Sequence, residues 1–296
     1  MALGVLAWAV AARLILAGEA VSAGAPPGPI GAISGSGAGL AGGDGIALRS
    51  HEAIYRMSLV RAQQQDGLRG ASGRLRYVLV DRCDGYTVET ELNAQFSFSN
   101  GLNTVVRQAY AGWESKDGRT ASFRMQSVEN GTVSESYRGA VTLAADGAGH
   151  ARYEGDAPAN FELPAGTLIS TAQIKALIAL AAQGPQFFSQ VVMDGAFTDG
   201  PHRVTGVIAP ADTRTSVRGE AAQAIVGEDG SLDLSRPAWP ISLAYFPLND
   251  PSETPSYEMT LHLRSDGVVT GLTQDFGAYT LGFRPVGLTA IEDLGC

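Results

Sequence analysis

The chain has 296 residues, 45% hydrophobic and 17% charged, with a formal net charge of −9. An acidic chain without a basic run argues against nucleic acid as a partner and against simple electrostatic binding to anionic lipid.

The N-terminus reads as an export signal. Met1 to Ala12 is uncharged, Leu14-Ile15-Leu16 follows Arg13, and small residues up to Ala23 fit cleavage after that position. The signal's only base lies in its middle rather than at its start. The competing reading is an uncleaved anchor. It is the weaker one, because Arg13 and Glu19 interrupt the run before it reaches the ~20 apolar residues of a spanning helix. Arg13 and Glu19 cancel, so removal of residues 1–23 leaves the charge at −9. No later segment is long and apolar enough to span a bilayer as a helix.

Residues 24–45 are rich in Gly, Ala, Pro and Ser and are expected to be a flexible linker. Gly35-Ser36-Gly37-Ala38-Gly39 has the look of a nucleotide-binding loop. No strand precedes it and no helical pattern follows, so the linker reading stands. Residues 46–296 then form one domain of roughly 250 residues, ample for a single large core.

This domain is punctuated for hairpins. Asp-Gly occurs nine times, at Asp44, Asp66, Asp84, Asp117, Asp146, Asp194, Asp199, Asp229 and Asp266; Asn-Gly adds Asn100 and Asn130. Both central positions of a tight hairpin turn call for positive φ, which Asn, Asp and Gly tolerate best. Between the turns, polarity alternates. His51, Ala53, Tyr55, Met57 and Leu59 share one face. Tyr86, Val88, Thr90, Leu92, Ala94, Phe96 and Phe98 share another, opposite Thr87, Glu89, Glu91, Asn93, Gln95, Ser97 and Ser99. Trp239, Ile241, Leu243 and Tyr245 repeat the pattern, with Pro240 marking an edge or a strand start. So do Tyr257, Met259, Leu261 and Leu263. Period-2 alternation of this length means strands with one buried and one wet face.

One segment differs. Over about 171–184, Ile174, Leu177, Ile178 and Ala181 follow helical spacing, with Ser170 or Thr171 as the cap and Gly184 as the stop. This predicts one amphipathic helix, packed on the open edge or mouth of the sheet. Pro210 to Pro237 has weak patterning and reads as a long connection. The fold class is therefore mainly β, a large antiparallel meander curled into a barrel or a barrel that fails to close. An outer-membrane barrel also alternates. Here the apolar faces include Ala and Thr rather than aromatic girdles, and the chain ends Glu292-Asp293-Leu294-Gly295-Cys296 rather than on a lipid-facing strand.

Chemistry is harder to find. His51, His150, His202 and His262 are not at zinc-ligand spacing, so no metal site is predicted. His51 reads as a hydrogen-bonded histidine at the edge of the core, since no local partner supports a role as base. There is no Gly-x-Ser-x-Gly elbow and no phosphate-binding loop. Asp275-Phe276-Gly277 matches a kinase fragment without the rest of the kinase set. Asn130-Gly131-Thr132 is formally a glycosylation sequon, but a turn is the simpler use. A carboxylate pair of the glycosidase kind is neither indicated nor ruled out. No catalytic or cofactor residue is assigned. The two cysteines, Cys83 and Cys296, lie 213 positions apart behind an export signal. That spacing favours one structural disulfide over a redox pair, whose thiols usually sit close together in sequence.

Several short motifs add a resemblance. Leu48-x-x-His51-Glu52-Ala53-x-Tyr55, Cys83-Asp84-Gly85-Tyr86 and Glu114-Ser115-x-Asp117-Gly118 come first. Leu163-Pro164-x-Gly166-Thr167, Asp194-Gly195, Tyr245-Phe246, Tyr257-Glu258 and the terminal Cys296 follow in order. In these the chain resembles the EipB-like cell-envelope integrity proteins of Alphaproteobacteria, from about Leu48 to Cys296. The resemblance implies a periplasmic, spiral-like broken β-barrel closed by a Cys83–Cys296 disulfide, a role in maintaining the envelope, and no established enzymatic activity. Ile169-Ser170 and Gln173 depart from the Phe-Pro and His expected there, which puts any function of that His in doubt.

Three functions compete. The first is a non-enzymatic periplasmic protein that binds another periplasmic protein or an envelope component. The second is a carrier holding a lipid or other apolar ligand inside the curved sheet. The third is a hydrolase of wall or glycan. The interior of the barrel, as solid core, apolar cavity or polar cleft, separates them.

Overall fold

The computed structural model describes residues 45–63, 67–196, 198–212, 236–250 and 253–292. The expected leader (1–23), the linker up to residue 44, Cys296 and most of the Pro210–Pro237 connection lie outside the described residues. Eight strands come first: β1 (His51–Ala62), β2 (Leu68–Asp81), β3 (Gly85–Phe98), β4 (Asn103–Ser115), β5 (Thr120–Glu129), β6 (Thr132–Leu143), β7 (Gly149–Gly155) and β8 (Ala159–Leu163). A two-residue β9 (Thr167–Leu168) leads into helix α1 (Ser170–Ala182). Then follow β10 (Gln186–Val192), β11 (His202–Ile208), β12 (Ala238–Pro247), β13 (Tyr257–Arg264), β14 (Val269–Asp275) and β15 (Tyr279–Ala290).

All fifteen strands join one sheet, in the order β8-β7-β6-β5-β4-β3-β2-β1-β15-β14-β13-β12-β11-β10-β9. The first and last long strands meet at its centre, where β1 pairs with β15. From there the chain meanders outward in both directions. The outermost strands, β8 and β9, are neighbours in sequence yet are not hydrogen-bonded to each other. The result is a barrel-like sheet with an unsealed seam, as the alternation and the family resemblance both predict.

The strand faces follow the sequence closely. In β3, Tyr86, Val88, Thr90, Leu92, Ala94 and Phe96 are buried, while Glu89, Glu91, Asn93 and Gln95 are exposed. Arg264 breaks the pattern of β13. It is fully buried, and its guanidinium holds Asp266 through Nε–Oδ1 (3.1 Å) and Nη2–Oδ2 (2.6 Å) contacts. Pro240 lies near the start of β12, which has neighbours on both sides, so the strand-start alternative is the one realised.

The turns are more uniform than expected and of a different type. Only Asn130-Gly131 has positive φ at both residues (50° and 86°). At Gly101, Gly118, Gly147 and Gly267 only the glycine is left-handed, whereas Gly85 is not and the β2–β3 turn is centred on Cys83-Asp84. The N–H groups of Gly101, Gly118, Gly147 and Gly267 each return to the carbonyl three residues earlier, on Phe98, Ser115, Ala144 and Arg264. The preceding Asn or Asp side chain accepts the N–H two residues on, at 3.0–3.3 Å in all four cases. This is a type I turn ended by a left-handed glycine, in which the Asx carboxylate or amide braces the backbone. Asp275-Phe276-Gly277 is another such brace, since the Gly277 N–H binds Asp275 Oδ1 at 2.9 Å.

Helix α1 departs from its predicted place. Instead of one stripe, nine of its thirteen residues are buried, among them Ile174, Leu177, Ile178, Leu180 and Ala181. A helix buried around most of its girth belongs to an interior. Its N-terminal turn meets Glu114 on β4, and Gln173 reaches Tyr245 on β12, strands far apart in the sheet order. Such contacts require α1 to lie within the curve of the sheet rather than across its mouth. The stop is as predicted: Gly184, at φ 111°, gives its N–H to the Ala181 carbonyl.

Two glycines separate backbone strain from crowding. Gly101 and Gly147 have nearly the same φ (84° and 82°), but a Cβ on Gly101 meets nothing within 4 Å, whereas one on Gly147 meets the Gly166 nitrogen at 2.8 Å. We expect Gly101→Ala to cost about 1 kcal/mol. Gly147→Ala should cost a further ~1–3 kcal/mol, because the turn after β8 has to move. Urea denaturation of the two variants checks the difference.

Candidate functional site

The interior carries a concentration of polar groups around the N-terminus of α1. The helix has no side-chain cap of its own: its N-cap is Ile169. The cap comes from the sheet. Glu114, at the end of β4 and 4% exposed, accepts the Thr171 N–H on Oε2 at 2.7 Å. A carboxylate there satisfies a free helical N–H and meets the positive end of the helix dipole. One turn along, Lys175 lies 4.9 Å from the centre of the Tyr86 ring, and Lys116 lies 4.0 Å from the same ring while ion-paired to Asp81. These are the only two lysines in the sequence. Both therefore serve as cation–π contacts where α1 meets β3 and β4.

The connection between β10 and β11 closes over this end. Asp194 Oδ1 accepts the Ala196 N–H at 2.9 Å, an Asx turn like those of the hairpins. Tyrosine hydroxyls hold the loop from inside the sheet: Tyr110 donates to the Asp194 carbonyl (3.3 Å) and Tyr137 to the Ala196 carbonyl (2.8 Å). Two aromatic chains line the interior. One runs Tyr110–Phe123–Tyr153–Phe161, with Tyr137 beside Phe123 and Tyr153. The other runs His202–Tyr245–Tyr257–Phe276–Tyr279, with Tyr245 and Tyr257 stacked at 4.3 Å. Burial drives the hydroxyl pKa values of Tyr110, Tyr137, Tyr153, Tyr245 and Tyr257 well up, so all remain neutral hydrogen-bonding groups.

Desolvation pushes the part-buried Asp194 up to about 6; the Ala196 N–H and His202 pull the other way, and Asp199 and Glu114 add to the rise. His202 is buried, with Nε2 3.5 Å from Asp199 Oδ2. Desolvation works against its charged form, but Asp199, Asp194 and a backbone bond at Gly200 outweigh it and hold His202 above its ordinary value. His51 lies elsewhere, at the start of β1. It is 1% exposed, its Nδ1 is 2.7 Å from the Arg49 carbonyl, and its ring packs against Tyr77. The sequence reading of a hydrogen-bonded core histidine is correct for it. His150 is exposed on β7 and His262 part-buried on β13.

Several of these polar groups are engaged within the fold. Glu114 is occupied as a helix cap, Asp194 as a turn brace, and the Ser170 hydroxyl faces the Asp194 carbonyl at 3.5 Å. Among the described residues no three His, Cys, Asp or Glu side chains gather as a metal site, and no helix is long and apolar enough to cross a membrane. The charged groove across β3–β7, of about 620 Å³, contains Glu154, which Arg138 and Arg152 hold below the usual carboxylate range. Cys83 is exposed in the β2–β3 turn. The sequence missed Glu114 and Asp194 as interior groups, although both fall in the motifs that carry the family resemblance.

The fold and interior define an incompletely closed β-barrel filled by its own helix. Within that class, the EipB-like family profile matches residues 43–290, and the chain belongs to that family. The cell envelope integrity protein EipB of Brucella abortus (strain 2308) is 25% identical over 257 residues, covering 84% of this chain and 86% of that protein. A crystal structure from Brucella abortus, described as a β-barrel-like protein of a domain of unknown function, superposes with a TM-score of 0.74 at 22% identity. It covers 83% of this chain and 100% of its own.

The pH dependence of stability should carry two opposed contributions. Burial lowers His51 from 6.5 to about 4, so the unfolded chain takes up a proton that the folded protein refuses. His51 therefore contributes stability that is intact above pH 6.5 and is lost as pH falls towards 4, about 3 kcal/mol in all. Asp194 acts in the opposite sense. Its folded pKa is raised from 3.8 to about 6, so its contribution favours the fold at low pH and fades as pH rises through that window. Urea unfolding between pH 4 and 8 should show a flatter acid limb for His51→Asn. Asp194→Asn should gain relative to wild type from pH 4 to 7.

Proposed function

We propose that this protein is a non-enzymatic periplasmic protein that supports cell-envelope integrity by binding an envelope component or another periplasmic protein. The observation that carries this reading is the occupied interior. Helix α1 and the two aromatic chains fill the curve of the sheet where a carrier would keep its ligand, and Glu114 and Asp194 are engaged with backbone N–H groups. What is left for contact is the outer surface. The family relationship and the name of the Brucella protein support the envelope role.

We further propose that Cys83 and Cys296 are joined. The described residues bring their neighbours together at Ser50. The Ile291 N–H donates to the Ser50 carbonyl (3.0 Å) and the Asp81 N–H to Ser50 Oγ (2.9 Å). A bridge closing so long a loop contributes about 5 kcal/mol on chain-entropy grounds, comparable to the net stability of a domain.

The test is complementation of a gene deletion, scored as resistance to detergents and wall-active antibiotics. Glu114→Gln and Asp194→Asn should restore resistance if they fold to wild-type abundance. Failure of a well-folded Asp194→Asn would replace this reading with a hydrolase, and a lipid retained in native mass spectra would replace it with a carrier. Cys83→Ser should melt well below wild type under oxidising conditions, and peptide mapping without reductant should find Cys83 linked to Cys296. Quantitative alkylation of both thiols would show that there is no bridge.

A further inference from the structure

One edge of the sheet is left open in a way that proteins usually avoid. β10 is hydrogen-bonded along its full length to β11, from Gln186 opposite Ile208 to Val192 opposite His202, with no bulge. On its other side β9 pairs only with Val191 and Val192. Among the described residues, the stretch Gln186–Gln190 therefore has no ladder on that side. Exposed edges are normally blunted by charge, by a bulge or by shortness. β8, the other outermost strand, has five residues and carries the exposed Glu162. β10 has none of these protections: it reads Gln-Phe-Phe-Ser-Gln-Val-Val, uncharged and regular.

Two side chains point the same way. Phe187 is 83% exposed, the most exposed of the large hydrophobics among the described residues, and it faces outward from this edge strand. It joins Val207 at one end of a shallow groove of about 650 Å³ that crosses the outer face of β10–β13. Gln190, only 7% exposed, has neither its amide nitrogen nor its amide oxygen bonded among the described residues. A buried amide without partners costs free energy that an added neighbour recovers.

We propose that the Gln186–Gln190 edge of β10 is a docking site for one extended polypeptide segment of a partner protein, which adds a strand to the sheet. The complement of a row of backbone N–H and C=O groups is another such row, which selects a peptide over a lipid or a glycan. The incoming segment carries aliphatic or aromatic side chains at alternate positions to cover Phe187 and Val207, and no charge opposite the uncharged edge. A second copy of this chain is disfavoured as occupant, because each copy carries a net charge of −9. The inference rests on the binding role proposed above and names the kind of partner.

The experiment uses the purified mature protein and a blocked peptide, acetyl-Thr-Val-Thr-Val-Thr-Val-Thr-amide, with its alternately N-methylated form as control. Amide exchange at Phe187 and Ser189, whose N–H groups lie on the β9 side of β10, should be fast in the protein alone and slow about tenfold with the peptide. The N-methylated peptide should have no effect, and the outward-facing double variant F187K/S189K should abolish the response. In deletion cells F187K/S189K should fail to restore resistance, while V133K, at an exposed site on β6, should succeed. Amides of Phe187 and Ser189 already as slow as those of β3 would overturn the proposal, because the chain would then cover its own edge. A dimer in sedimentation that F187K dissociates would overturn it in favour of a second copy. Full complementation by F187K/S189K removes the edge from function while leaving the envelope role standing. A deletion without an envelope phenotype removes that role, and the peptide exchange then still decides the edge.

Discussion

The hydrogen bond from the Thr171 N–H to Glu114 ties the two halves of this structure together. A sheet of fifteen strands curled on itself encloses more space than its own side chains fill, and α1 is what occupies it. A helix inside a barrel brings the unpaired N–H groups of its first turn into a low-dielectric space, where each is costly unless bonded. Ile169 offers no side-chain acceptor at the N-cap, so the sheet supplies one from 57 residues away. The Lys175–Tyr86–Lys116 contacts and the tyrosines that hold the β10–β11 loop surround the same helix end. Tyr86 and Glu114 are cross-strand partners, so both contacts fix the same end of α1 to β3 and β4.

The polar groups of the interior are tied into the same arrangement. Buried carboxylates are where catalysis is usually sought. Here Glu114 accepts a helix N–H and Asp194 a turn N–H. The tyrosines are held neutral by burial, and Tyr110 and Tyr137 act as donors to loop carbonyls. Each of these two carboxylates spends one oxygen on its backbone bond. Such a network gives the interior one arrangement rather than several.

How much of this was legible in the sequence depended on how local the cause was. Strand faces were, because alternation is a local consequence of one-sided burial: β3 follows it from Tyr86 to Phe96. Hairpin positions were, because Asx-Gly pairs act over four residues, though the turn type was misread except at Asn130-Gly131. The stop of α1 at Gly184 was, for the same reason. Its place in the fold was not. Ile174, Leu177 and Ile178 suggested a stripe, but Thr171, Gln173 and Ala176 are buried as well, and small or amide-bearing residues hide their burial from a hydrophobicity pattern. Arg264 likewise reads as a wet position until Asp266 folds back onto it. The cap by Glu114 has no local signature, since the acceptor and the helix meet only after β5–β9 have been laid down.

The seam follows from the same enclosure. An antiparallel meander closes into a barrel when its last strand returns beside its first. Here the chain must leave the sheet after β9, run through the interior as α1, and re-enter as β10. A strand that re-enters after such a crossover lies parallel to the one it left, as β10 does to β9. β9 is therefore both the exit to the helix and the neighbour of β10, and it is only two residues long because α1 begins at Ser170. A longer β9 would cover β10 but would delay the helix and move its first turn away from Glu114. The open edge from Gln186 to Gln190 is thus a direct consequence of placing α1 inside the sheet. The feature that makes the interior solid is also the one that leaves the sheet a backbone edge to offer outward.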